Sequence, residues 1–93
     1  MIDDLPLFAW RPPQPEVLPF PAARRRSYVR KHAAAADRYN LAAADRYVGD
    51  LVTRHQARLL SFGVSEEAAI ADASALRAAV LLELVRLRRE GAA

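Results

Sequence analysis

Apolar or small positions, with one imidazole among them, recur along the middle of the chain: Val29, Ala33, Ala36, Ala43, Tyr47, Leu51, His55, Leu59 and Phe62. They step by three, four or seven residues and so keep to one face of a 3.6-residue period. The spacing predicts one long helix over residues 24–62, roughly 55 Å from end to end. Arg38, Arg46, Thr53 and Gln56 fall off the stripe, and Asp50 and Arg54 stand one helical turn apart as an exposed ion pair. Gly49 interrupts the pattern. With no proline beside it, it is expected to mark a close approach of another helix in preference to a kink.

The stretch "FGVSEE", residues 62–67, ends that helix and starts another. Gly63 suits a helix C-terminus, Ser65 an N-cap, and Glu66 and Glu67 a first turn. So short a turn predicts an antiparallel return. The second helix is expected over about residues 66–90, with Ile70, Ala73, Leu76, Val80, Leu84 and Leu87 as its inner stripe. Arg86, Arg88 and Arg89 crowd its last turn, where cations suit the helix dipole, and Gly91 reads as its stop. Leu81, Leu82 and Val85 widen the stripe beyond what one neighbour covers. Twenty of the 93 residues are alanine, which forms helix readily but buries little area, so a core made by one copy is thin. The predicted architecture is therefore all-α: a long antiparallel helical hairpin that dimerises into a four-helix arrangement. The expected dimer interface is Leu76, Val80, Leu81, Leu84 and Leu87, facing the Leu51, Leu59, Phe62 stripe.

Residues 1–23 carry no such period. All six prolines are here, at positions 6, 12, 13, 15, 19 and 21, and each favours extended backbone at and before itself. Yet Leu5, Leu7, Phe8, Trp10, Val17, Leu18 and Phe20 make the segment too apolar for a spacer. The chain thus divides into an extended proline-rich arm (1–23) and a helical part (24–93). The arm reads as a short linear motif held by a partner protein, with Leu5, Leu7, Phe8, Trp10 and Phe20 as contact residues, or as a strap on its own helices.

Charge adds a second reading. Thirteen of the fourteen basic residues are arginine, a bias that phosphate recognition or a GC-rich genome would each produce. In "RRRSYVRKH", residues 24–32, Arg24, Arg25, Arg26, Arg30 and Lys31 surround Tyr28 with no acidic residue among them. Cations at a helix start oppose the dipole, so nucleic-acid contact, with Tyr28 stacking on a base, is a competing expectation. "AAADRY" occurs at 34–39 and at 42–47. Eight residues rotate a helix about 80° past two turns, so the copies do not share a face.

Enzymatic chemistry finds no foothold. His32 and His55 have no His, Asp or Glu one helical turn away, so no metal or other cofactor is expected. The serines at 27, 61, 65 and 74 lack a nucleophile turn, and no glycine-rich phosphate loop is present. A helical hairpin offers no deep pocket for a small-molecule substrate. The chain has no cysteine, no bilayer-length apolar run and no signal-peptide pattern at its start. The expected product is a non-enzymatic cytoplasmic adaptor or regulator, acting as a homodimer and away from membranes.

Two resemblances bear on the arm. Asp4-Leu5-Pro6-Leu7-Phe8 looks like the peptide with which bacterial replication and repair proteins engage the sliding clamp, usually Gln-Leu-x-Leu-Phe; Asp4 stands where that motif has glutamine. The resemblance implies sliding-clamp binding at residues 4–8. More extensively, Leu5-Pro6-Leu7-Phe8, Trp10, Pro12-Pro13, Val17, Pro19-Phe20-Pro21, Arg24 and Glu83-Leu84-Val85-Arg86-Leu87 follow one another in the order of a family of short uncharacterised alphaproteobacterial proteins. Gln14-Pro15 replaces a Cys-Lys of that pattern. The likeness implies a used motif in the arm and a helical remainder, and it brings no activity with it.

Overall fold

The protein is described by a computed structural model covering residues 20–92. The arm residues Leu5, Leu7, Phe8 and Trp10 lie outside the described residues, as does the 4–8 clamp-like peptide. A short 3-10 helix, Ala22–Arg24, precedes three α-helices: α1 (Arg26–Ala36), α2 (Leu41–Ser61) and α3 (Glu66–Ala92). No strand occurs among the described residues. The fold is all-helical, as the periodicity predicts, but the single helix expected over 24–62 is two helices.

The break at residues 37–40 has a local and a global cause. Asn40 takes an extended conformation, and its side chain accepts the Ala43 N–H at 2.9 Å, capping α2. Asparagine is a poor interior residue but a strong N-cap, so the chain gains by stopping there. From α3, Arg88 donates to Asp37 Oδ1 at 3.2 Å and to the Tyr39 carbonyl at 2.7 Å, tying the turn down. Globally, a continuous helix of roughly 55 Å would overrun α3, which is about 40 Å long. Its first turns would have nothing to cover Val29, Ala33 and Ala36. Broken, the chain folds α1 back, and all three residues are buried.

The turn between α2 and α3 follows the sequence reading closely. Gly63 has φ +89°, the left-handed region that glycine enters at little cost. The Val64 N–H reaches the Leu59 carbonyl and the Gly63 N–H the Leu60 carbonyl, both at 3.0 Å, which closes the helix end with a Schellman pair. Ser65 Oγ accepts the Ala68 N–H at 3.2 Å and caps α3. At the far end, α3 continues through Gly91 to Ala92, so Gly91 is not the expected stop.

The core is shared by every element. Ala22, Val29, Ala33 and Ala36 meet Ala44, Val48 and Leu51 of α2 and Leu76, Val80 and Leu84 of α3. Leu76, Val48 and Val80 are the largest fully buried side chains. Ala44 and Val48 displace Ala43 and Tyr47 from the expected stripe, because α2 faces both α1 and α3. Ile70 and Phe62, read as inner positions, are exposed. Of the five residues expected to meet a second copy, Leu76, Val80 and Leu84 are consumed by this core, and Leu81 and Leu87 lie half-buried against it. A third helix does the covering that the sequence reading assigned to a partner.

Gly49 is not a close-approach site: a Cβ there would meet nothing within 4 Å. Gly49→Ala is therefore expected to raise stability by about 0.5–1 kcal/mol, the helix-interior penalty of glycine, as read by chemical denaturation. A loss of stability would show a neighbour that the described residues do not include.

Candidate interaction surface

The fixed root of the arm sits beside the basic stretch. Ala22 is buried, and its N–H points at Asp72 Oδ1, 3.4 Å away. Phe20, two residues earlier, is 69% exposed. The 3-10 helix closes through Arg24 N–H to Pro21 O and Arg25 N–H to Ala22 O. Pro21 suits this position, since its φ is already set and its missing donor is not needed.

Asp72 is the functional-looking group that the sequence reading missed. Asp72 is buried in α3 and lies 2.7 Å from Nε2 of His55 in α2. An ionised carboxylate only accepts, so the imidazole N–H donates. His55 is thus a core histidine, as its place on the stripe implies. The partners are 17 residues apart, beyond any helical spacing, so one-turn arithmetic could not pair them. The only available sign was an acidic residue interrupting an apolar face. The pair bonds α2, α3 and the arm root at one point, and neither surface groove described below is lined by it.

The basic residues stand around the start of α1. Arg24, Arg25, Arg26, Arg30 and Lys31 are all exposed, α1 has no acidic residue in its first turn, and no side chain caps it. The Arg25 guanidinium lies 4.7 Å from the Tyr28 ring centroid, a cation–π contact. A groove of ≈ 470 Å³ separates this region from α3, with Arg24, Arg26 and Arg30 on one wall and Ala79, Leu82 and Glu83 on the other. A shallower one of ≈ 300 Å³ runs between Phe20 and Tyr28. These concavities were not expected of a two-helix hairpin. Glu83 is already engaged: Arg86 hydrogen-bonds it and holds its carboxyl below the usual value, with Arg30 and Arg26 adding attraction across the groove. Arg86 also pairs with Glu90, and these acids push its guanidinium further up.

Behind the basic face, His32 Nδ1 lies 2.7 Å from the Tyr47 hydroxyl, and the Tyr28 ring meets the imidazole edge-on. Burial lowers the His32 pKa from the ordinary 6.5, and the neighbouring Lys31 and Arg54 lower it further. The neutral ring then accepts the tyrosine proton. Because the folded-state value is the lower one, the unfolded chain binds the proton first. The contribution is complete above pH 6.5 and is lost as pH falls below it. Folding stability relative to His32→Asn is expected to drop between pH 7 and pH 5; a difference that stays flat with pH would remove this assignment.

Among the described residues, no group of three or more His, Cys, Asp or Glu could hold a metal ion, and no helix is long and apolar enough to cross a membrane. What the surface offers is cationic and apolar ground around a fixed arm root, on a small all-helical protein. The chain belongs to DUF6074, a family of unknown function whose model matches residues 13–93. That match takes in the second half of the arm and all three helices. No curated protein and no solved structure matches it.

Proposed function

We infer that the protein is a non-enzymatic adaptor or regulator that binds a partner protein through its arm, with Leu5, Leu7, Phe8, Trp10 and Phe20 as anchors. One observation carries this reading: Ala22 is locked into the core while Phe20, two residues away, stands open to solvent. An arm fastened at its root and presenting aromatic residues beyond it loses less freedom on binding than a free peptide does. The helical hairpin of α2 and α3, whose contacts pair His55 with Asp72 and Asp45 with Arg77, serves in this reading as the platform. Trp10 is the sole tryptophan, so its emission reports on the arm alone. A red-shifted, freely quenched signal supports an arm offered to a partner. A blue-shifted signal shielded from quencher overturns the reading in favour of a strap on its own helices.

A second reading has its own support. Five exposed cations around an uncapped helix start, with Tyr28 among them, suit a phosphate backbone. It requires oligonucleotide affinity that falls steeply with salt and is lost in Arg24→Ala/Arg25→Ala/Arg26→Ala. Affinity indifferent to either change discards it. Sliding-clamp binding by residues 4–8 is a special case of the arm reading, tested by titrating purified clamp against the full chain and Leu7→Ala/Phe8→Ala.

A further inference from the structure

The outer face of α3 carries a second hydrophobic repeat that none of the described residues covers. Ala71, Ala75, Ala78, Leu82 and Val85 are all exposed, Leu82 by 73% and Val85 by 51%. They step by four, three, four and three, and Arg89 continues the series. This is the a/d spacing of a coiled-coil seam, and it lies opposite the core stripe of Ala69, Ala73, Leu76, Val80 and Leu84. A surface helix needs one apolar stripe, and α3 has two.

We propose that this outer seam is a homodimer interface, in which α3 of one copy lies antiparallel to α3 of a second copy. This goes beyond the arm-binding reading and does not depend on it. Two features select a second copy as the occupant. The first is size. The seam is small at its start, with Ala71, Ala75 and Ala78, and large at its end, with Leu82 and Val85. Antiparallel pairing sets the large residues of each copy against the alanines of the other, while parallel pairing would set large against large and leave the alanine half loosely filled. The second is charge. Glu67 lies at the start of α3 on the seam side, and Arg89 lies near its end. Neither forms an ion pair among the described residues. Antiparallel pairing brings each Glu67 to the partner's Arg89, twice by symmetry, while parallel pairing places like charges together. Short alanine side chains also let two helix backbones approach closely, which adds dispersion contacts that one copy alone does not make.

This interface replaces the one read from the sequence. It uses Leu82 and Val85, which the stripe analysis marked as surplus, and leaves Leu76, Val80 and Leu84 in the core.

The experiment measures the mass of the full chain in solution by light scattering and sedimentation over a dilution series. The expected result is a dimer. Ala78→Arg, at an exposed seam position, is expected to give a monomer with unchanged helical circular dichroism. Glu67→Arg and Arg89→Glu should each weaken the dimer, and Glu67→Arg/Arg89→Glu together should restore it. The chain has no cysteine, so a single introduced thiol reports the helix sense. Ala78→Cys, near the two-fold axis, should oxidise to a covalent dimer. Ala71→Cys should not, because the two copies of that residue would stand about 20 Å apart. A monomer at all concentrations overturns the proposal. So does a dimer that Ala78→Arg leaves intact, or one that Ala71→Cys cross-links more readily than Ala78→Cys.

Discussion

His55→Ala is expected to cost about 3–5 kcal/mol of folding free energy, the cost of breaking a buried pair from one side. The substitution removes the imidazole that lies 2.7 Å from Asp72 Oδ2 and leaves a buried carboxylate facing only the Ala22 N–H at 3.4 Å. A chain of this length is held by a small net free energy, so much of the total is at stake. The midpoint of thermal unfolding should fall by roughly 10 °C or more. His55→Leu/Asp72→Leu should cost less than His55→Ala alone, because no charge is then stranded in the core. Denaturant titrations of the single and double variants make the comparison. A loss below about 1 kcal/mol for His55→Ala would show that water reaches the pair and that it does not hold the helices together.

The second large effect is at Leu76. The side chain is 0% exposed and sits where α1, α2 and α3 meet. Leu76→Ala should cost about 2–5 kcal/mol, through lost burial and the cavity left behind. Ile70→Ala, on the same helix and in the same predicted stripe, should cost about 1 kcal/mol or less, since Ile70 is 45% exposed. The contrast distinguishes the three-helix core from a two-helix one, in which both residues would face inward equally. Equal losses at the two positions would contradict the arrangement of α1 against α3.

Where the amino-acid sequence was informative, the physics was local. The Gly63 and Ser65 caps, the start of α3 at Glu66 and the helical class of residues 24–92 follow from periodicity and capping chemistry, which act over one turn. The break at Asp37–Asn40 has a local sign too, the N-capping Asn40, which apolar spacing alone does not register. "AAADRY" shows the limit plainly: at 34–39 it ends α1, and at 42–47 it continues inside α2. The difference comes from Arg88, roughly fifty residues away, holding the first copy in its turn. The same reach hides Asp72, whose partners are His55 and Ala22. Three of the five residues expected at a dimer interface are used by the core of one copy for a related reason. The apolar residues of α3 exceed what one neighbour covers, the second neighbour is α1, and Leu82 and Val85 are left exposed among the described residues. The basic residues were placed together by their adjacency in the chain, and the structure keeps them so.

The contacts that fasten the first turns of this fold to α3 join residues 50 and 51 positions apart. Each helix can wind by itself within about a microsecond, but α1 meets α2 only in part, and the Val29, Ala33 and Ala36 face completes its core once α3 brings Leu76, Val80 and Leu84. Closing loops of this length carries an entropic toll that no local propensity offsets. Folding should therefore run in two tempos: rapid gain of helix, then slower docking of α3 against α1 and the 3-10 turn before it. A stopped-flow trace would show most of its circular dichroism before the tyrosines of α1 and α2 report their final surroundings.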